Sequence, residues 1–284
     1  MAATQPQGTV TPDGNRVAFT DHGGNGPDLL LAHATGFCGA VWAPMVDGLV
    51  GSYRVVTFDE RGHGGSEPAP GDVYDWEGFA TDALAVIDAL GLERPFGAGH
   101  SCGGALLMLA EMRRPGTFRA IWAYEPIVFP TDAPPTARPP DNRLSAGARK
   151  RRASFASRAE ARANYASKPP LNALDPRVLD GYIACGLRDL PDGTVTLACD
   201  PEAEARTYEM GGSHGAYARL GEVKCPVALV CGENTDAIGP TALPLLAARL
   251  PDATTDVWQG YNHFGCLADP SRTVASIVRA FAQD

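Results

Sequence analysis

The stretch PFGAGHSCGGALLMLA, Pro95 to Ala110, limits the possible folds more than any other part of this chain. Pro95 to Ala98 is short and suits the end of a strand, whereas Ala105 to Ala110 are good helix formers, so the segment reads as strand, turn, helix. Ser101 sits at the turn, in Gly99-His100-Ser101-Cys102-Gly103. A side chain on so sharp a corner is held out from the backbone, usually at positive φ, and its neighbours must be small for the chain to approach itself. This is the context that a Gly-x-Ser-x-Gly nucleophile turn requires. The motif specifies only three positions, and the chain has 32 glycines in 284 residues, so the surrounding pattern has to decide it.

That pattern is an alternation. RVAFTDHGG and DLLLAHATGF read as strands separated by the turn-rich GGNGPD, and YRVVTFDERGHGGS is a β-branched run entering a glycine-rich loop. DWEGFATDALAVIDALGL has helical spacing and stops at Gly91, the expected C-terminal glycine. After the Ser101 segment comes the strand FRAIWAYEP. The alternation resumes late, with CPVALVCGENTDAIGP, the helix TALPLLAARL, the strand TTDVWQG, the loop YNHFGCLADP and the closing helix SRTVASIVRAFAQ. The expected fold is α/β, a doubly wound, mostly parallel sheet with helices on both faces. Residues 128–215 break the pattern and predict a helical cap insertion, opened by the Pro-rich FPTDAPPTARPP and serving as a mobile lid over Ser101; residues 1–127 and 216–284 form the core. Ser157-x-x-Glu160 predicts a capping box, and Asp175-Pro176 a second helix start. The basic run Arg149 to Arg152 reads as a solvated helix face.

Composition excludes several function classes. A net charge of −9 argues against a nucleic-acid partner, which needs a basic face. No run approaches membrane-spanning length, and the N-terminus lacks a basic then apolar leader pattern. The 7 cysteines are odd in number and contain no Cys-x-x-Cys pair, which fits free thiols in a cytoplasmic setting. Histidine and cysteine spacing suggests no metal site, and no cofactor is expected.

A serine hydroxyl needs a base within reach and a group that orients the base. His263, between the last strand and last helix, is the expected base. His22, His33, His63, His100 and His214 all have structural explanations. Asp236, in the loop after VALVCG, is the first choice as orienting acid; Glu125, just after IWAY, remains the alternative, and Glu233 reads as a surface charge. Backbone amides of Cys102 and of Thr35, with Gly36 as the alternative to the latter, could receive a developing oxyanion. The Cys102 side chain reads as a small turn residue.

LLLAHATGFCGAVWAP, FDERGHGGS, GAGHSCGGA, GENTDA and YNHFGCLADP, in this order, resemble the α/β-hydrolase superfamily, in its cap-bearing serine hydrolase branch. The likeness covers roughly Arg16 to Glu125 and Lys224 to Phe281. This chain has His33-Ala34 where the family carries His-Gly. Asp59, Arg61, Gly62, Gly64 and Ser66 match the family's Asp-x-Arg-Gly-x-Gly-x-Ser loop, which the resemblance makes a structural clamp.

The resemblance implies acyl chemistry, since branches acting on epoxides and haloalkanes place aspartate where this chain has Ser101. The expected substrate is a small apolar ester or lactone, hydrolysed through an acyl-enzyme with Ser101, His263 and Asp236. Carbon–carbon hydrolysis, cofactor-free perhydrolysis and a non-catalytic ligand-binding protein are the alternatives. Phe37, Trp42, Tyr165 and Tyr182, with Phe155 and Tyr208, are candidate substrate-lining aromatics.

Overall fold

A computed structural model describes residues 7–131 and 142–282. The elements run β1 (Gln7–Val10), β2 (Arg16–Asp21), β3 (Asp28–Ala32), α1 (Ala43–Leu49), β4 (Arg54–Phe58), α2 (Trp76–Leu90), β5 (Phe96–His100), α3 (Cys102–Arg113) and β6 (Ile121–Tyr124). There follow α4 (Arg143–Arg149), β7 (Ser154–Phe155), α5 (Arg158–Ala166), α6 (Pro176–Cys185), β8 (Leu187–Asp189), β9 (Val195–Leu197) and α7 (Pro201–Met210). The chain closes with α8 (Ala216–Arg219), β10 (Val227–Gly232), α9 (Leu243–Ala247), β11 (Ala253–Trp258), α10 (Gly265–Ala268) and α11 (Pro270–Phe281).

Among the described residues the main sheet orders its strands β1-β2-β4-β3-β5-β6-β10-β11. β1 and β2 are antiparallel to each other, β2 is antiparallel to β4, and the rest of the sheet is parallel. This is the α/β fold with helices on both faces that the alternation predicts. The run DLLLA is apolar throughout because both faces are covered. Leu30 and Ala32 join the core layer beneath α2 and α3, while Leu29 and Leu31 join the opposite layer with Trp42 and Phe281. β1 is a four-residue edge strand, too short to give a periodic signal.

Residues 142–215 leave the main sheet. The prediction of a purely helical insertion needs correcting, because β7, β9 and β8 form a small antiparallel sheet inside it. Its strands are two or three residues long and turn at Gly193, φ 84°, too brief for alternation to show. The helix starts are as expected: Ser157 Oγ accepts from the Glu160 amide, and the Asp175 carboxylate accepts from the Arg177 amide. Most of the Pro-rich segment, 132–141, lies outside the described residues.

This segment is joined to the core at several points, among them the Trp76 indole N–H on the Thr207 carbonyl and the Asp175 amide on the Leu267 carbonyl. A Cβ on Gly181 of α6 would stand 2.2 Å from the Ala40 carbonyl oxygen, so only glycine lets α6 lie on the turn after β3. Half-buried Arg151 and buried Glu204 form an ion pair against Gly36. Arg151 also donates to Tyr182 Oη at 2.7 Å, and Arg149 and Arg152 pair with Glu202 and Glu160. The three arginines of the basic run are therefore paired with carboxylates; Arg149, Lys150 and Arg152 are exposed, as expected of a solvated face, and Arg151 is half-buried.

The Asp59 to Ser66 loop is a clamp. Arg61 is held bidentately by buried Asp82, Asp59 accepts from the Gly39 and Gly65 amides, and Ser66 Oγ links the Asp59 carbonyl to the Ala18 amide. Asp75 caps α2 and Gly91 ends it at φ 60°.

Candidate active site

Ser101 stands at the end of β5 with φ 58° and ψ −115°, outside the regions that side-chain-bearing residues prefer. The small neighbours follow from geometry. A Cβ on Gly99 would lie 2.5 Å from the Gly103 carbonyl carbon, and one on Gly103 would lie 2.3 Å from the Ala32 carbonyl oxygen. Helix α3 therefore starts directly against β5 and β3. The corner lifts Ser101 Oγ to within 3.1 Å of His263 Nε2.

The carboxylate that the structure places against the ring is Glu125, where Asp236 is the residue expected from the sequence: Glu125 Oε2 lies 2.7 Å from His263 Nδ1. In the parallel register His100 pairs with Tyr124, so Ser101 and Glu125 each leave their strand one residue past a matched pair. β10 pairs Val230 with Tyr124 and then runs on to Gly232 before turning. Its loop reaches the site with other groups. The Gly232 amide donates to Glu125 Oε1 at 2.9 Å, and Thr235 Oγ1 donates to Oε2 at 2.6 Å. Asp236 is exposed on the cleft wall, while Glu125 is fully buried and takes φ 46°. Three donors satisfy the buried carboxylate, as an internal charge requires.

A carboxylate can only accept, so His263 Nδ1 carries the proton in this pair, leaving the Nε2 lone pair to accept from Ser101. Two residues hold the loop that presents the ring. His100 Nε2 donates to the His263 carbonyl at 2.8 Å, and Tyr124 Oη donates to the Asn262 carbonyl at 2.8 Å. Each immediately precedes a member of the Ser101 and Glu125 pair, so the strand ends that carry serine and glutamate also fix the histidine loop.

The other buried histidines are structural. Burial pushes His33 down to about 4 and His63 to about 3, and burial beside His263 holds His100 well below the usual imidazole range, so none of these rings protonates near neutral pH. His33 Nε2 accepts from the Glu60 amide and His63 Nε2 from the Gly36 amide, each at 3.0 Å. The second contact decides which loop amide is available. Gly36 N–H is committed to His63, whereas Thr35 N–H has no partner among the described residues. The Cys102 amide opens α3, where helix geometry provides no acceptor. Burial and nearby Glu60 push the Cys102 thiol well up, so it stays protonated.

A cleft of about 1020 Å³ opens over Ser101 and His263. Phe37 lines it as expected. The other three predicted lining residues do not. Trp42 is fully buried beside α1, and the hydroxyls of buried Tyr165 and Tyr182 both bond Arg151. Phe155 is likewise buried in the core, and Tyr208 does line the cleft. Trp76, Phe129 and Phe264 complete an aromatic lining, and Arg143 enters from α4. Phe264 could have been found from its place beside His263; Trp76 and Arg143 come to the cleft through packing that carries no local signal. Among the described residues there is no cluster of metal-binding side chains, and no helix is long and apolar enough to cross a membrane.

The profile of the alpha/beta hydrolase family matches residues 29–277. The chain belongs to that family. The family member is 34% identical over 97 residues to the protein named "Putative carbamate hydrolase RutD" of Caulobacter sp. (strain K31), covering 33% of this chain and 36% of that one. It is 31% identical over 97 residues to 3-oxoadipate enol-lactonase 1 of Acinetobacter baylyi (strain ATCC 33305 / BD413 / ADP1), covering 34% and 36%. The matched segments thus span about a third of these relatives' length. Among solved structures, E-2-(acetamidomethylene)succinate hydrolase superposes with a TM-score of 0.81 at 20% identity, covering 98% of this chain and 99% of the other, a likeness of fold.

Proposed function

We propose that this α/β hydrolase cleaves an ester or lactone bond of a small substrate through an acyl-enzyme on Ser101. The observation that carries the reading is the unbroken chain from Ser101 Oγ through the His263 ring to the Glu125 carboxylate. His263 Nε2 takes the hydroxyl proton as Ser101 attacks the carbonyl, and Glu125 stabilises the imidazolium that forms. The Thr35 and Cys102 amides receive the oxyanion. His263 then returns its proton to the leaving oxygen, and a water activated by the same ring releases the acid. The lactonase and carbamate hydrolase names of the relatives support lactones, esters and carbamates as the first substrates to test. Residues 142–215 act as a cap: Arg143, Leu144, Pro170 and Tyr208 of this segment share the cleft with Ser101. The close seat of Gly181 on Ala40 favours a cap fixed on the core over the mobile lid expected from the sequence.

The test is a fluorophosphonate probe with a panel of 4-nitrophenyl esters, aryl carbamates and small lactones. One covalent adduct on Ser101, with turnover of at least one of these classes, is expected. An unlabelled Ser101 in folded protein that turns over none of the panel would overturn the reading.

The hold on the histidine loop makes its own prediction. Tyr124→Phe removes only the hydroxyl that bonds the Asn262 carbonyl, a contact of about 1 kcal/mol. It should lower kcat about tenfold while leaving KM nearly unchanged, because the imidazole and not the substrate loses its placement. A fall in melting temperature with kcat unaltered would reduce Tyr124 to a packing residue.

A further inference from the structure

The cleft has opposite charges on its two walls. Arg143 lines it from α4 and Asp236 from the loop after β10, and the two are not paired with each other. Arg143 is an exception within its segment. Every other arginine between residues 142 and 215 holds a carboxylate, as Arg149 and Arg162 do with Glu202 and Asp180, apart from Arg188, which is bonded to the Ala198 carbonyl. Arg143 has no hydrogen-bond or ion-pair partner among the described residues. In a chain with 33 acidic residues against 24 basic ones, carboxylates are the commoner charge, and the one guanidinium of this segment without a partner among the described residues lines the same cleft as Ser101.

We propose that Arg143 is a specificity-determining residue that selects acyl substrates bearing a free carboxylate; this rests on the ester-hydrolase reading of Ser101. A guanidinium receives a carboxylate through two parallel N–H donors, a geometry that fixes orientation as well as affinity. Asp236 repels the same group from the core wall, so an anionic substrate enters with its carboxylate toward α4. The aromatic lining from Phe37, Trp76, Phe129 and Phe264 gives the chain between carboxylate and scissile carbonyl an apolar surface to lie on. The selected class is therefore the half-ester or lactone of a small dicarboxylic acid, in place of the purely apolar ester expected from the sequence.

The experiment compares 4-nitrophenyl half-esters of succinate, glutarate and adipate with their methyl-capped counterparts. For at least one chain length kcat/KM should be about 10- to 100-fold higher for the free acid, the scale of a hydrogen bond to a charged group. Arg143→Gln should bring that ratio close to one, Arg143→Lys should keep part of it, and Asp236→Asn should raise it. Equal rates for acid and methyl ester at every length, or a preference that survives Arg143→Gln, would overturn the proposal. A binding arm separates it from the hydrolase reading: in Ser101→Ala protein, calorimetry with glutarate should show binding that the additional change Arg143→Gln removes. Glutarate binding unaffected by Arg143→Gln refutes the role of Arg143 whether or not Ser101 turns over.

Discussion

Glu125→Gln is expected to lower kcat by about 10⁴-fold while Asp236→Asn leaves it little changed, the scale being that of an orienting carboxylate made neutral beside its histidine. The amide keeps the shape of the side chain, so a folded variant should result. Its effect is on the ring. With Glu125 ionised, His263 Nδ1 must be the protonated nitrogen, and Nε2 is free to take the Ser101 proton. An amide in that place can donate as well as accept, which permits the tautomer with Nδ1 bare and Nε2 protonated, and removes the charge that stabilises the imidazolium. Asp236 does neither task, because both ring nitrogens are already engaged. Steady-state kinetics of the two variants on one 4-nitrophenyl ester decide it, and reversed magnitudes would return the acid's role to Asp236.

Ser101→Ala should cost more, about 10⁶-fold in kcat, with melting temperature near that of the parent. Alanine occupies the same left-handed backbone as serine with the same Cβ, and the hydroxyl's recorded partner is the His263 ring, so little folding energy is at stake. The fluorophosphonate adduct should disappear with the activity. Retention of more than a small part of the wild-type rate, once contaminating esterase is excluded by titrating active sites, would require a different nucleophile.

The fold was legible because its signals are local. Strand runs such as DLLLA, the glycine-flanked Ser101 and the Asp175-Pro176 helix start each state their conformation within a few residues. The identity of the acid is not local. Both Glu125 and Asp236 follow parallel strands whose ends meet at the same edge, and the choice depends on β10 running two residues past its pairing with Tyr124 and on φ 46° at Glu125. The cleft lining was hardest to read. Tyr165 and Tyr182 are drawn away by Arg151, which in turn is fixed by Glu204, 53 positions along the chain. A pairing over that separation leaves no trace in periodicity. Arg143 reads as one more surface arginine until its neighbours' partners are known.

The backbone at Ser101 has a consequence for how such a protein drifts under selection. A left-handed conformation costs a side-chain-bearing residue on the order of 1–3 kcal/mol relative to glycine. Glu125 recovers that cost through contacts with Gly232, Thr235 and His263. Ser101 has one side-chain contact to set against it. A screen that rewards heat tolerance alone would therefore favour glycine at position 101, and lineages freed from the need for turnover would lose the serine before the glutamate. The order of decay is written into the two torsion angles.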